Sequence, residues 1–377
     1  MKKINNNLPR GGAEWGRALR RFLSDNIVPI MFVLICAYCI PRADLSWNYL
    51  LNEGMTRLGR NAFLILSLLI PVMAGMGMNF GMTLGAMAGQ IGLIFAADWQ
   101  VWGIPGLILA AIISIPISVL LGIMIGKLLN RAKGREMITS YMIAFAMDGV
   151  YQFFVLFMMG PVIPIIHNTL KLPRGYGIRN TVSLLNMRQS LDNLLAVSVG
   201  GVKIPVLTLI IIAAACLFIL WFRRTKLGQD MEVARDAGIN VERTRVISMV
   251  ISTVFAGFGM IIYLQNVGNF PTYTAHTQIG MFSIAALLVG GASVEKASIK
   301  NVFLGVILFH TMFIVAPRTG TVITGDSMIG EYFRVFVSYA VITIALVMYE
   351  AKKRKAKSAA GLQLAADQLA EEEAKAK

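Results

Sequence analysis

The chain has 377 residues, 56% of them hydrophobic and only 15% charged, with a formal net charge of +15. A soluble domain carries roughly 25% charged residues, whereas apolar runs recur here at the length that crosses about 30 Å of hydrocarbon. A large soluble protein is excluded, a β-barrel is excluded because the runs do not alternate, and the positive charge fits loops facing anionic lipid rather than nucleic acid.

Residues 1–23 are read as a cytoplasmic segment with a short interfacial helix. Trp15, Leu19 and Phe22 form its apolar side, and Arg17, Arg20 and Arg21 lie between them. It is no cleavable signal, because the first apolar run starts near Ile27 and further spans follow. A transmembrane domain over 24–349 comes next, with about ten predicted spans: 24–41, 62–78, 80–97, 103–126, 138–160, 204–222, 246–264, 279–294, 299–316 and 332–349. Cys36 and Cys39 have the spacing of a redox pair but fall inside the first span, where they read as small apolar residues. With both termini inside, most of the 35 basic residues sit in inside segments, as the positive-inside rule requires.

Residues 62–96 could form one long bent helix. That would place the basic loop Lys127–Glu136 outside, so two crossings are counted. Pro71, Gly75 and Gly77 can break the helix between them. Gly77, Gly81, Gly85 and Gly89 recur every four residues, a spacing that puts them on one helix face and lets helices meet backbone to backbone.

Further along, residues 161–203 make the longest outer loop, with Pro161, Pro164 and Pro173, and could hold short helices where a partner docks. Residues 224–245, "RTKLGQDMEVARDAGINVERTR", are densely charged and lie inside between two uncharged runs. Their middle can form a helix that stops at Gly238. The last segment, 350–377, is a charged cytoplasmic tail whose Lys352–Lys357 cluster marks the membrane edge.

No enzyme site is legible. His167, His276 and His310 have no metal-ligand spacing, and there is no nucleophile elbow or carboxylate pair. "GIMIGKL" at Gly122–Leu128 has three residues between its glycines and Leu in place of the hydroxyl of a phosphate-binding loop. A transporter built on this chain therefore borrows an ATPase or uses an ion gradient.

"RTKLGQDMEVARDAGINVERTRVISMVISTVFAGFGM" resembles the coupling segment of ABC-importer permeases of the branched-chain amino acid and ribose type. The matching positions are Thr225, Gly228, Ala234, Arg235, Gly238, Ile239, Asn240 and Arg243, with Glu232-Val233-Ala234 where that family has Glu-Ala-Ala. "KGREMITSYMIAF", "MNFGMTLGAMAGQIG" and "ALLVGGASVEKASIKNVFLGVIL" resemble further family segments. The third departs at Glu295-Lys296-Ala297-Ser298, where the family continues in glycines. The simple-sugar and nucleoside branch is nearest. The resemblance implies an all-α permease subunit with inverted repeats in a bacterial inner membrane. Its implied partners are cytoplasmic ABC ATPase subunits, a second permease, identical or paralogous, and an extracytoplasmic solute-binding protein. ATP and magnesium would sit on the ATPase, leaving no cofactor here. Gly228, Glu232, Ala234, Arg235, Asp236, Gly238 and Asn240 would couple to that ATPase.

Away from span ends the predicted spans hold just two ionisable groups, Asp148 and His310. Ionisable groups in a bilayer mark ion or proton routes, so their scarcity points to a neutral polar solute such as a sugar or nucleoside. The residues placed along its path are Asn79, Phe80, Met82, Thr83, Gln90, Asp148, Tyr151, Gln152, Ser252, Phe282 and Ser283. The competing class is an ion-gradient-driven secondary transporter, for which Asp148 would be the proton or cation site.

Overall fold

A computed structural model describes residues 26–230, 242–293 and 296–336, together with positions 23, 339, 340, 343, 347 and 351. The interfacial helix expected at Trp15, Leu19 and Phe22 and the tail after position 351 lie outside the described residues.

The chain is mostly helical. Among the described residues six helices are long and apolar enough to cross a membrane, and three more are apolar but shorter. Helix α1, Ile27–Cys39, runs on through a tight turn at Ile40–Arg42, where Pro41 enters. Helix α2, Trp47–Ser67, opens on Ser46, whose hydroxyl accepts from the Tyr49 N–H at 3.3 Å. It continues as α3, Leu69–Met73.

The span expected at 62–78 thus begins much earlier, at Trp47. Its first half carries Glu53 and Arg57, which pair one turn apart at 2.8 Å. Such a pair supports a helix but hides it from a reading based on apolar runs.

The expected break is present after Met73. Gly75 and Gly77 take φ of 71° and 66°, a left-handed region closed to most side chains. Gly77 therefore lies in the break and not on the helix face assigned to it. Backbone groups freed there find side chains: Ser140 Oγ accepts from the Phe80 N–H at 2.9 Å, and Asn79 Oδ1 accepts from the Gly81 N–H at 3.0 Å. Irregular backbone at membrane depth needs such partners.

Helix α4, Met82–Asp98, is buried along almost its whole length. It packs between α5, Gly103–Arg131, and α9, Glu242–Val267. Two glycines explain the closeness to α9. A Cβ on Gly85 would run into the Thr253 carbonyl, and one on Gly89 would stand 2.5 Å from the Gly257 carbonyl oxygen. Gly81 sits one residue before the helix, where a Cβ would meet Met249 Cε and Asn79 Oδ1. Hydroxyls lock the same bundle: Thr253 donates to the Ser118 carbonyl at 2.9 Å and Ser252 to the Ser67 carbonyl at 2.7 Å.

Helix α6, Glu136–Phe153, widens into a single wide turn over Phe154–Met158. Residues 161–203 are only partly helical. They hold β1, Thr181–Ser183, the one-turn helix α7, Ser190–Leu194, and the hairpin β2, Ala196–Val199, with β3, Val202–Pro205. After α8, Val206–Arg224, and α9 comes β4, Asn269–Pro271, which pairs antiparallel with β1.

Two buried carboxylates hold this end of the molecule together. Asp98 accepts from the N–H groups of Ile166 and His167 at 2.9–3.1 Å. Asp192 accepts from the Thr208 hydroxyl at 2.6 Å, Gln265 at 3.0 Å and Asn266 at 2.7 Å. Helix α10, Ala275–Val289, and α11, Ile299–Thr324, complete the bundle. Ser298 and Asn301 form a capping box at the start of α11, and a further helix runs over 327–336.

Candidate functional site

Three helices converge on one polar niche. Tyr141, Phe145, Asp148 and Gln152 follow helical spacing along one stripe of α6. Thr83, Met87 and Gln90 form a stripe on α4, and His276, Thr277 and Met281 come from the first turns of α10. The cavity between them measures about 40 Å³ and is lined by Phe80, Thr83, Tyr141, Phe145, Asp148 and His276, among others.

His276 is fully buried and bridges two helices. Its Nε2 lies 2.8 Å from Asp148 Oδ1 on α6, and its Nδ1 lies 2.7 Å from Gln90 on α4. Gln152 donates to the other Asp148 oxygen at 3.1 Å. Tyr151 sets its ring edge-on to the imidazole, centroids 4.9 Å apart, and donates its hydroxyl to the Thr272 carbonyl at 3.1 Å. The Asp148 side chain is 23% exposed and is among the residues that line the cavity.

A second cavity, of about 240 Å³, lies next to the first along α10 and shares Thr277 and Met281 with it. Gln278, Phe282, Phe313 and Arg334 also line it. Phe282 meets Phe313 edge-to-face at 5.2 Å, and the Arg334 guanidinium lies over Phe313 at 4.9 Å.

Of the residues assigned to a path from sequence, Phe80, Thr83 and Asp148 line the first cavity and Phe282 lines the second. Gln90, Tyr151 and Gln152 are tied to the first through His276 and Asp148. Asn79, Met82, Ser252 and Ser283 line neither. Asn79 caps the break, Met82 is core, Ser252 joins α9 to the end of α2, and Ser283 is buried within α10. His276, Thr277, Gln278 and Arg334 were missed. His276 stood outside a span drawn to begin at 279, whereas α10 starts at Ala275. The polar run "TYTAHTQ" before that span was the available signal.

At the opposite end, Thr225 explains its Thr-x-x-Gly motif. Its hydroxyl accepts from the Gly228 N–H at 3.3 Å, starting a helix over 226–230. Gly228 itself packs so tightly that a Cβ would strike the Phe222 carbonyl. Glu232, Ala234, Arg235, Asp236, Gly238 and Asn240 lie outside the described residues. The segment's far side is anchored: Arg245 pairs with Glu136, both largely buried, and Asn130 donates to the Glu242 carbonyl at 2.9 Å.

Residues 52–346 match the model of a family described as branched-chain amino acid transport system / permease component. The chain is also 24% identical over 315 residues to the nucleoside ABC transporter permease protein NupB of Lactococcus lactis subsp. cremoris, covering 78% of this chain and 79% of that one. No solved structure matches it. A family match across most of a chain of apolar helices makes this a multi-pass membrane protein that belongs to the permease-component family of branched-chain amino acid transport systems.

Proposed function

We propose that this chain is the membrane subunit of an ATP-driven importer for a small neutral polar solute, a nucleoside or a simple sugar. In this reading it makes ten crossings of a bacterial inner membrane, with both termini cytoplasmic and inverted repeats in its two halves. A second permease faces it across the path, ATPase subunits bind inside and a solute-binding protein docks outside. The family match and the nucleoside permease relative support the class. The observation that carries the path is the niche of Asp148, His276 and Gln90. It places hydrogen-bonding groups among aromatic rings on α6, where Tyr141 meets Phe80 edge-to-face at 5.0 Å and the flank at Phe145 and Phe153 is exposed. An apolar wall with a few placed polar groups is what a small polar solute needs.

Residues 224–245 are assigned to the ATPase groove, with hydrolysis moving α8 and α9. The test is Gly238→Val, which puts a β-branched residue where a left-handed helix stop is expected. In vesicles containing the assembled transporter, ATP hydrolysis stimulated by loaded binding protein should fall severalfold while the permease level holds. Undiminished stimulation would remove the segment from coupling.

A further inference from the structure

The hydrogen bonds around His276 fix what the niche offers a solute. With Gln90 Oε1 turned toward His276 Nδ1, the Gln90 Nε2 is buried without a partner. That strands two N–H donors, a costly arrangement. The carboxylate facing Nε2 only accepts, so Nε2 carries a proton, and in the neutral ring Nδ1 is bare; the Gln90 amide then turns to donate one N–H to Nδ1, leaving its oxygen and second N–H without partners. His276 is then the tautomer with its proton on Nε2, and it donates that proton to Asp148. Gln152 donates to the second oxygen. Both neighbours are donors, so the lone pairs that Asp148 keeps open to the cavity can only accept.

We propose that Asp148 is a specificity-determining acceptor for the N–H edge of a nitrogen heterocycle, and that His276 is the residue that positions it. The cavity of about 40 Å³ has room for about one water. It takes an edge of the solute, not the whole of it. The surfaces beside it are Phe80, Tyr141, Phe145, Met87 and Met281; the Thr83 hydroxyl already donates its proton to the Phe80 carbonyl at 2.7 Å, and Thr277 adds one further hydroxyl. A sugar ring, with hydroxyls all round, would leave most of them unmatched against such a wall. A flat heterocycle has apolar faces to stack on Tyr141 and Phe145 and gathers its donors on one edge. The inference rests on the importer reading above and narrows its solute to the nitrogen-base class.

The test is ligand-observed NMR on the full chain, assembled with its ATPase partners in lipid nanodiscs. The probes are uridine and adenosine, each against an analogue whose donor edge is blocked, 3-methyluridine and N6,N6-dimethyladenosine. The unmodified chain should bind at least one parent nucleoside about tenfold or more tightly than its analogue, equivalent to about 1.4 kcal/mol. Asp148→Asn should lose that preference. His276→Gln, which can still donate to Asp148, should keep it, and His276→Leu should not. The preference is read within each variant, so a change in abundance does not mimic it. Equal binding of parent and analogue, no binding of either parent, or a preference that survives Asp148→Asn would each overturn the proposal. A preference that behaves as expected while ATP-driven uptake fails would sink the importer reading alone.

Discussion

Gly85→Leu is expected to abolish transport, with the protein either degraded or unable to assemble. The position has no room even for a methyl group, because a Cβ there runs into the Thr253 carbonyl of α9. Backbone cannot rotate away as a side chain can, so α4 and α9 must separate. That separation also breaks the bond from the Thr253 hydroxyl to the Ser118 carbonyl, which ties α9 to α5. Overpacking typically costs about 1–3 kcal/mol, and a clash against main chain at the centre of three helices belongs at or above the top of that range. Gly85→Ala should show the same defect in weaker form. Membrane level and thermal unfolding in detergent measure it, and a Gly85→Leu protein that is stable and active would show that α4 and α9 do not meet as described.

Asp192→Ala should be nearly as damaging, although Asp192 lines neither cavity. Its carboxylate gathers the Thr208 hydroxyl and the amides of Gln265 and Asn266, which bring α7, α8 and α9 together. Arg60 from α2 joins this cluster through Asn266, at 3.4 Å. Removing the acceptor strands several buried donors at once, with a cost on the order of 3 kcal/mol or more. Asp192→Asn keeps an acceptor and should lose less. The expected readout is a lower unfolding temperature for Ala than for Asn, with solute-stimulated hydrolysis failing where the fold has loosened. Equal stability of Asp192→Ala and the unmodified chain would mean that water replaces the carboxylate.

The sequence made the apolar helices legible wherever hydrophobicity alone decides. It also located the break after Met73, because Pro71, Gly75 and Gly77 carry a conformational meaning of their own. It failed where polar residues continue a helix. Glu53 and Arg57 hid the first turns of α2, and Thr274, His276 and Thr277 hid the start of α10. The second omission cost the site its central residue, since His276 was left in a loop and Asp148 without its partner. Contacts remote in sequence left no trace either. Three residues of β1 pair with three of β4 across the intervening helices, a length too short for any periodicity. Asp98 directly follows the predicted span 80–97 and Asp192 falls in the outer loop, and only the fold shows them buried and serving as acceptors.

The glycine pattern was read in part. Gly85 and Gly89 do meet α9, as spacing by four suggests, but Gly77 shares that spacing and lies outside the helix. Periodicity alone does not tell where a helix begins. Asn79 and Ser252 were assigned to the path because they are polar and central, yet each is committed to a backbone group. In a bilayer a polar side chain is as often a partner for stranded backbone as a contact for a solute.

Uptake into sealed vesicles tests the central claim most directly. The unmodified chain and Asp148→Asn, each assembled with its ATPase and supplied with loaded binding protein, are compared with and without ATP under an imposed proton gradient. The account predicts uptake only with ATP, weaker in Asp148→Asn but with the same requirement, and with the gradient adding nothing to either chain. Uptake driven by the gradient without ATP, and abolished by Asp148→Asn, would contradict it and make Asp148 and His276 a proton route.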